Sequence, residues 1–182
     1  MMHITYLVHS TSTDNEQRRR SGWNDPHLSE RGISQAHDQA TRFANQQFEA
    51  IIVSDLTRTM QTAAMVFANR LVIPEPRLRE LNYGQFNGHP EAEFKHEVGW
   101  EISNRYPDGE HCMDVQARIT SLLAELRAAD FSHVVFVAHK YPQLALEVLC
   151  NNLTWHEALT SDWRLVGQWQ PCWEYEYKGH RT

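Results

Sequence analysis

The stretch Ile4-Thr5-Tyr6-Leu7-Val8-His9-Ser10-Thr11-Ser12-Thr13-Asp14-Asn15 decides how this chain is read. Its first five residues are β-branched, aromatic or aliphatic, of strand length, and they empty into a polar loop that opens on a histidine. Much later Val134-Val135-Phe136-Val137-Ala138 does the same and empties into His139. Continuous apolar runs of this kind, interleaved with helical patterns, are the strands of a parallel sheet buried on both faces. Such sheets bind ligands just beyond the carboxyl ends of their strands. Either histidine alone reads equally well as a satisfied strand-end side chain; together they mark a candidate site.

Outward from the first loop comes Arg18-Arg19-Arg20-Ser21-Gly22-Trp23-Asn24-Asp25-Pro26, a turn-rich passage. Three consecutive arginines are ordinarily a solvated face, but at this position they also offer an anion contact. Ser29 has the chemistry of an N-cap, with Glu30 in the first turn and Ile33, Ala36, Ala40 and Phe43 at helical spacing. Ala50-Ile51-Ile52-Val53 is a second buried strand closing on Ser54-Asp55. Asp55 is placed to cap a helix whose apolar face is Leu56, Met60, Ala63 and Phe67. Arg58 lies off that face, in the first turn. A cation there opposes the helix dipole unless an anion is near, so a bound phosphate and an ion pair with Asp55 or a glutamate both fit.

Leu71-Val72-Ile73 is expected to form a third strand. Leu78 to Gly88 is a loop with two glycines and a lone carboxylate, Glu80, and residues 94–106 carry an indistinct helical pattern. A turn at Pro107-Asp108-Gly109-Glu110 feeds an amphipathic helix with Val115, Ile119, Leu122, Leu123 and Leu126 on one face. A further helix spans Leu144 to Leu149, and Trp169 to Tyr177 alternates aromatic with polar residues as an edge strand or hairpin does. With no repeat and no linker, the alternation predicts one α/β domain over residues 1–182. The expected form is a three-layer sandwich with a mostly parallel sheet flanked by helices.

Composition narrows the function. A formal charge of −6 is the wrong sign for a nucleic-acid or general polyanion binder. Only Lys95, Lys140 and Lys178 are lysines among 17 cationic side chains, which favours arginine's forked recognition of phosphate or carboxylate, and equally structural ion pairs. Three scattered cysteines without a CxxC do not make a disulfide framework. There is no signal-like N-terminus and no apolar run near the ~20 residues that span a bilayer, so a cytoplasmic chain without membrane contact is expected. The 11 histidines include no HxxxH, HExxH or Cys/His cluster, so no metal and no other cofactor is expected.

Two imidazoles, an arginine at a helix start and one carboxylate in a glycine-bearing loop suit phosphoryl transfer through a phosphohistidine. One imidazole attacks phosphorus, cations spread the charge on the equatorial oxygens, and the carboxyl group handles the leaving group's proton. At this point the chain resembles the histidine phosphatase superfamily, the phosphoglycerate mutase-like proteins, from about Ile4 to Leu149. The motifs come in the family's order. Leu7-Val8-His9-Ser10 through Asn15 stands at its Arg-His-Gly loop. Arg19 to Asp25 with Leu28-Ser29-Glu30-Arg31-Gly32 is similar to its continuation, and Ser54 to Ala63 to its second arginine motif. Leu78-Arg79-Glu80, Pro107 to Glu110 with Arg118, and Val137-Ala138-His139 match the rest.

The resemblance implies a metal-independent phosphatase with His9 as nucleophile and Glu80 as proton donor. Arg58 and His139 would bind the transferring group, assisted by Asn15 and Arg19, with Ser10, Ser21, Gly22 and Lys140 as further phosphate contacts. The implied partner is a small phosphorylated metabolite. The family's arginine before the nucleophile is Val8 here, the glycine after it Ser10, and the glycine after the second histidine Lys140. Lys140 is expected to restore the missing cation or to lie exposed on its loop. These departures keep open a catalytically weakened member that binds a phosphate ester or a protein. A mutase would need a cap and extra basic residues: Tyr83-Gly84 and Ser21-Gly22-Trp23 lean that way. Leu81 and the few basic residues from Pro90 to Pro107 lean against it. Specificity is expected in residues 82–106 and in the tail tryptophans Trp155, Trp163, Trp169 and Trp173, which can pack in the core, line a pocket or form a homo-oligomer contact.

Overall fold

The computed structural model describes residues 1–167 and 172–179. In chain order it contains β1 (Met2–Val8), α1 (Thr13–Glu16), β2 (Arg19–Arg20), α2 (Glu30–Phe43), β3 (Ala50–Val53), α3 (Thr57–Val66) and β4 (Ile73–Pro74). These are followed by β5 (His89–Pro90), α4 (Trp100–Ser103), α5 (Cys112–Ala128) and β6 (His133–Ala138). The chain continues through α6 (Lys140–Asn151), α7 (Trp155–Thr160), α8 (Trp163–Val166) and β7 (Cys172–Tyr177). The main sheet has the order β4-β3-β6-β1-β7; all neighbours are parallel except β7, which returns antiparallel along β1. This is the mostly parallel, helix-flanked sheet that the alternation of elements predicts.

The two faces of the sheet separate by residue parity, because successive strand side chains point to opposite sides. Ile4, Tyr6, Ala50, Ile52, Val134, Phe136 and Ala138 face a core completed by Val115, Ile119, Leu122 and Leu123 of α5 and by Leu144 and Ala145 of α6. Leu7, Ile51, Val53, Val135 and Val137 face the opposite core, completed by Ala36 and Phe43 of α2 and by Ala63 and Val66 of α3. Each such aliphatic side chain contributes roughly 1.5–3 kcal/mol by leaving water. Burial on both faces is why these strands read as continuous apolar runs. Among the described residues no helix is long and apolar enough to cross a membrane.

Several local expectations are corrected. Ser29 does cap α2, accepting from the Gly32 N–H, but Ile33 is 38% exposed and takes no part in the core. Asp55 does not cap α3; its carboxylate takes a bidentate contact from Arg79. The cap comes from Asp25, 32 residues earlier, whose carboxylate accepts from the Thr57 N–H at 2.6 Å and from the Thr57 hydroxyl at 2.6 Å. The third strand shrinks to Ile73–Pro74 with Leu71 exposed, since an edge position gives Leu71 nothing to pack against. Residues 94–106 hold only the one-turn α4. The edge strand in the tail is present as β7, while Trp169 lies outside the described residues.

Candidate active site

The register of three adjacent strands places the site. Leu7 pairs with Val137 and Val8 with Ala138, so the chain leaves β1 and β6 at the same level. The His9 N–H donates to the Ala138 carbonyl at 3.0 Å, and the Ser54 N–H, at the end of β3, donates to the Val137 carbonyl at 2.9 Å. His139 therefore stands in the middle with His9 on one side and Ser54 on the other. The two imidazole rings meet edge to face, centroids 5.1 Å apart.

Hydrogen bonds decide the tautomers. His9 Nδ1 lies 2.8 Å from the Ser10 carbonyl, which can only accept, so Nδ1 carries the proton and Nε2 keeps its lone pair. Arg58 Nε donates to that Nε2 at 3.3 Å. Arg58 Nη2 lies 3.3 Å from His139 Nδ1 and can only donate, so the His139 proton is on Nε2, 2.9 Å from Ser54 Oγ. Both rings are neutral. Burial, then the Arg58 charge, lowers His9 to about 3, and the same two causes put fully buried His139 well below its usual value.

Arg58 is buried and more committed than the sequence suggests. Besides the two histidines it donates to the Asn24 carbonyl through Nη1 at 2.9 Å and to the Gly22 carbonyl through Nη2 at 2.9 Å. With the Asp25 cap, it fastens the loop from Ser21 to Asp25 across the start of α3. Gly22 has φ +53°, and a Cβ there would lie 1.9 Å from Asn87 Oδ1, so both backbone and space require glycine. An ion pair of Arg58 with Asp55, one of the alternatives open in the sequence, is absent, because Arg79 has taken that carboxylate.

Glu80 enters from the glycine-bearing loop. Its carboxylate accepts from the backbone N–H groups of Lys140 (3.2 Å) and Tyr141 (2.9 Å), the first turn of α6, and from that of Leu81 (3.0 Å). The N–H groups at a helix start have no partner within the helix, and the Glu80 oxygens supply acceptors for two of them. The Glu80 carbonyl is held by Trp23 Nε1 at 2.8 Å and Arg118 Nη2 at 3.0 Å, which ties the loop to both flanks.

These groups open on one cavity of about 600 Å³, whose wall includes His9, Ser10, Asn15, Arg19, Ser21, Gly22, Arg58, Glu80 and Lys140. His139 lies beneath, reached through Arg58 and His9. Asn15 is partly occupied, its Oδ1 accepting from the Ser12 N–H and hydroxyl at 2.9 Å each. Arg19 Nη1 donates to the Gly88 carbonyl at 2.9 Å. The Lys140 ammonium is neither free nor merely exposed: it sits 3.2 Å from Asp162 Oδ2. Trp163, one of the tail tryptophans expected to pack in the core, line a pocket or form a contact, lines this cavity. Ser54, Tyr141 and Arg164 were not expected near the site. Ser54 has a legible signal, a polar residue at a strand end. Tyr141 and Arg164 have none. Among the described residues no group of three or more His, Cys, Asp or Glu is arranged to hold a metal ion.

Comparison with known proteins agrees with this geometry. The family model of the histidine phosphatase superfamily (branch 1) matches residues 5–169. A Yersinia pestis protein named "Probable phosphoglycerate mutase GpmB" is 35% identical over 133 residues, a match that spans 68% of this chain and 62% of that one. Mycobacterial glucosyl-3-phosphoglycerate phosphatase, solved with VO3, superposes with TM-score 0.75 at 29% identity, covering 88% of this chain and 87% of its own. Alpha-ribazole phosphatase from Shigella flexneri shares the fold, with TM-score 0.75 at 21% identity over 86% of this chain and 83% of its own. With its two strand-end histidines and buried bridging arginine, this chain belongs to the histidine phosphatase superfamily.

Proposed function

We propose that the protein is a metal-independent phosphatase that hydrolyses a small phosphate monoester through a phosphohistidine on His9. The observation that carries this reading is the hydrogen bond from His9 Nδ1 to the Ser10 carbonyl, which leaves Nε2 of this cavity-lining ring unprotonated, its lone pair held by the Arg58 Nε N–H until an ester displaces it. In the first half-reaction Nε2 attacks phosphorus, the ester P–O bond breaks, and the leaving oxygen takes a proton from the Glu80 carboxyl group. In the second, Glu80 takes a proton from water, whose oxygen attacks the phosphohistidine; the P–N bond breaks, phosphate leaves and Nε2 regains its lone pair. Arg58 holds the ring in place and keeps one N–H for the phosphoryl oxygens.

The test is a panel of phosphate esters with acid and alkaline quench. Free phosphate and an acid-labile, alkali-stable phosphoenzyme are expected in the wild type, and neither in His9→Ala. Turnover that survives in His9→Ala refutes the phosphohistidine. A binding protein without catalysis is the second reading, favoured by the commitment of four of the five Arg58 N–H groups within the protein. It predicts phosphate binding with no turnover on the whole panel.

A further inference from the structure

Resting on the reading of this cavity as a phosphoryl site, we propose that Arg164, with Trp163 beside it, supplies the second set of hydrogen-bond donors to the transferring phosphoryl group. Charge in phosphoryl transfer spreads over three equatorial oxygens, which need several cationic or N–H donors at once. The strand-end residues do not provide them. The Arg58 guanidinium spends Nε on His9, one Nη1 proton on Asn24 and its Nη2 protons on Gly22 and His139. Val8, the residue before the nucleophile, lines the cavity and offers no donor. The Lys140 ammonium is held by Asp162.

Trp163 and Arg164 line the same cavity as His9. Arg164 Nη1 pairs with Asp162 Oδ1 at 2.8 Å, but among the described residues Nη2 is buried without a partner, and so is Trp163 Nε1. Buried donors left unmade are costly and rare in folded proteins; the Arg164 side chain is 21% exposed on the cavity wall, and a turn of it toward the cavity gives these donors an occupant that accepts hydrogen bonds. The guanidinium is stacked 4.7 Å from the Trp163 ring and 5.8 Å from the Trp173 ring. Asp162 is buried between two cations: Oδ1 takes Arg164, and Oδ2 faces Lys140 without an aligned hydrogen bond. Two positive charges against one negative leave the wall cationic. That charge already reaches the nucleophile: after burial and Arg58, Arg164 is a further cause of the low basicity of His9. The topology explains the placement. β7 enters the sheet with Cys172 opposite Leu7, at the end of β1 where His9 lies, so α8 arrives at the mouth of the site.

Orthovanadate tests the proposal, because it carries the oxyanion and no other substrate group. Its affinity is measured by calorimetry, alongside hydrolysis of 4-nitrophenyl phosphate, for wild type, Arg164→Gln and Arg164→Lys. Arg164→Gln is expected to weaken vanadate binding and kcat/KM by about ten- to a hundredfold. Arg164→Lys should keep the Asp162 pair and the wild-type melting temperature yet lose most of that affinity, since an ammonium seated on Asp162 has no second nitrogen where Nη2 stands. If Arg164→Gln is unstable, Arg164→Lys decides. Vanadate affinity within twofold of wild type in a stable variant overturns the proposal. So does an effect seen only with larger esters, which would place Arg164 against the rest of the substrate. Binding needs no turnover, so the two readings fail separately. A wild type that binds vanadate through Arg164 but hydrolyses nothing refutes the phosphatase and leaves Arg164 standing. Hydrolysis that needs His9 and ignores Arg164 does the converse.

Discussion

The floor and the wall of the cavity are built in opposite ways. On the floor, His9, Arg58, His139 and Ser54 satisfy one another in a continuous chain of hydrogen bonds from Ser10 to Ser54. On the wall, Trp163 and Arg164 keep buried donors with no partner. A saturated network holds its shape and keeps His9 Nε2 unprotonated, whereas an unsatisfied one waits for a ligand. The floor is thus prepared for attack and the wall for binding: the floor is gathered from three strand ends and the wall from one short helix.

The contrast is broken most severely at Glu80. Glu80→Gln keeps the shape of the side chain and its place at the start of α6 but loses the transferable proton. A fall of about 10²- to 10⁴-fold in kcat is expected, with vanadate affinity much less affected. Steady-state kinetics with an ester of high leaving-group pKa is the check; an unchanged kcat would remove Glu80 from the mechanism. Ser54→Ala tests the saturation of the floor itself. It leaves the His139 Nε2–H buried and unpaired, at a cost of about 1–3 kcal/mol, read as a lower midpoint in urea denaturation. A midpoint equal to wild type would mean that the chain of bonds ends at His139. Asp25→Ala removes the α3 cap supplied from a distant loop and is expected to cost about 0.5–2 kcal/mol. It should also lower kcat/KM, because the same loop carries the carbonyls that hold Arg58; a stability loss with full activity would separate the two.

The smallest effect at neutral pH comes from the buried neutral imidazoles. In the unfolded chain His9 binds a proton near its ordinary pKa of about 6.5, whereas in the folded protein it does so only at about 3. The unfolded state therefore binds more protons between these values, and stability falls as the pH falls. The contribution of His9 is fully present above pH 6.5 and is lost progressively toward pH 3, with fully buried His139 acting in the same direction. Denaturation at pH 7.5 and pH 5 should show a smaller loss on acidification for His9→Gln than for wild type. An equal loss would place the acid sensitivity elsewhere.

The legible parts share one property: their signal is local. The continuous apolar runs of Ile4 to Leu7 and Val134 to Ala138, the N-cap at Ser29 and the apolar stripe from Val115 to Leu126 are all visible within a few residues. So are the two histidines, because a polar residue at the end of a buried strand has few other places to be. Asp55 and Arg58 show where this fails. Both stand in sight of each other in the sequence, and neighbouring charges suggest a pair, yet Arg79 and Asp25 arrive from elsewhere and reassign them. Lys140 was singled out as a replacement cation, and a carboxylate 22 residues later holds its ammonium.

The sequence by itself determined the strand ends, their histidines and hence the family, because side-chain burial and chain direction are dictated by short-range periodicity. The tertiary structure alone decided which nitrogen of each ring is unprotonated, what fills four of the five N–H positions of Arg58, and that Trp163 and Arg164 line the cavity of the nucleophile. Those are matters of strand register and of the antiparallel return of β7, and hydrogen bonds between residues tens of positions apart leave no pattern in either partner's neighbourhood.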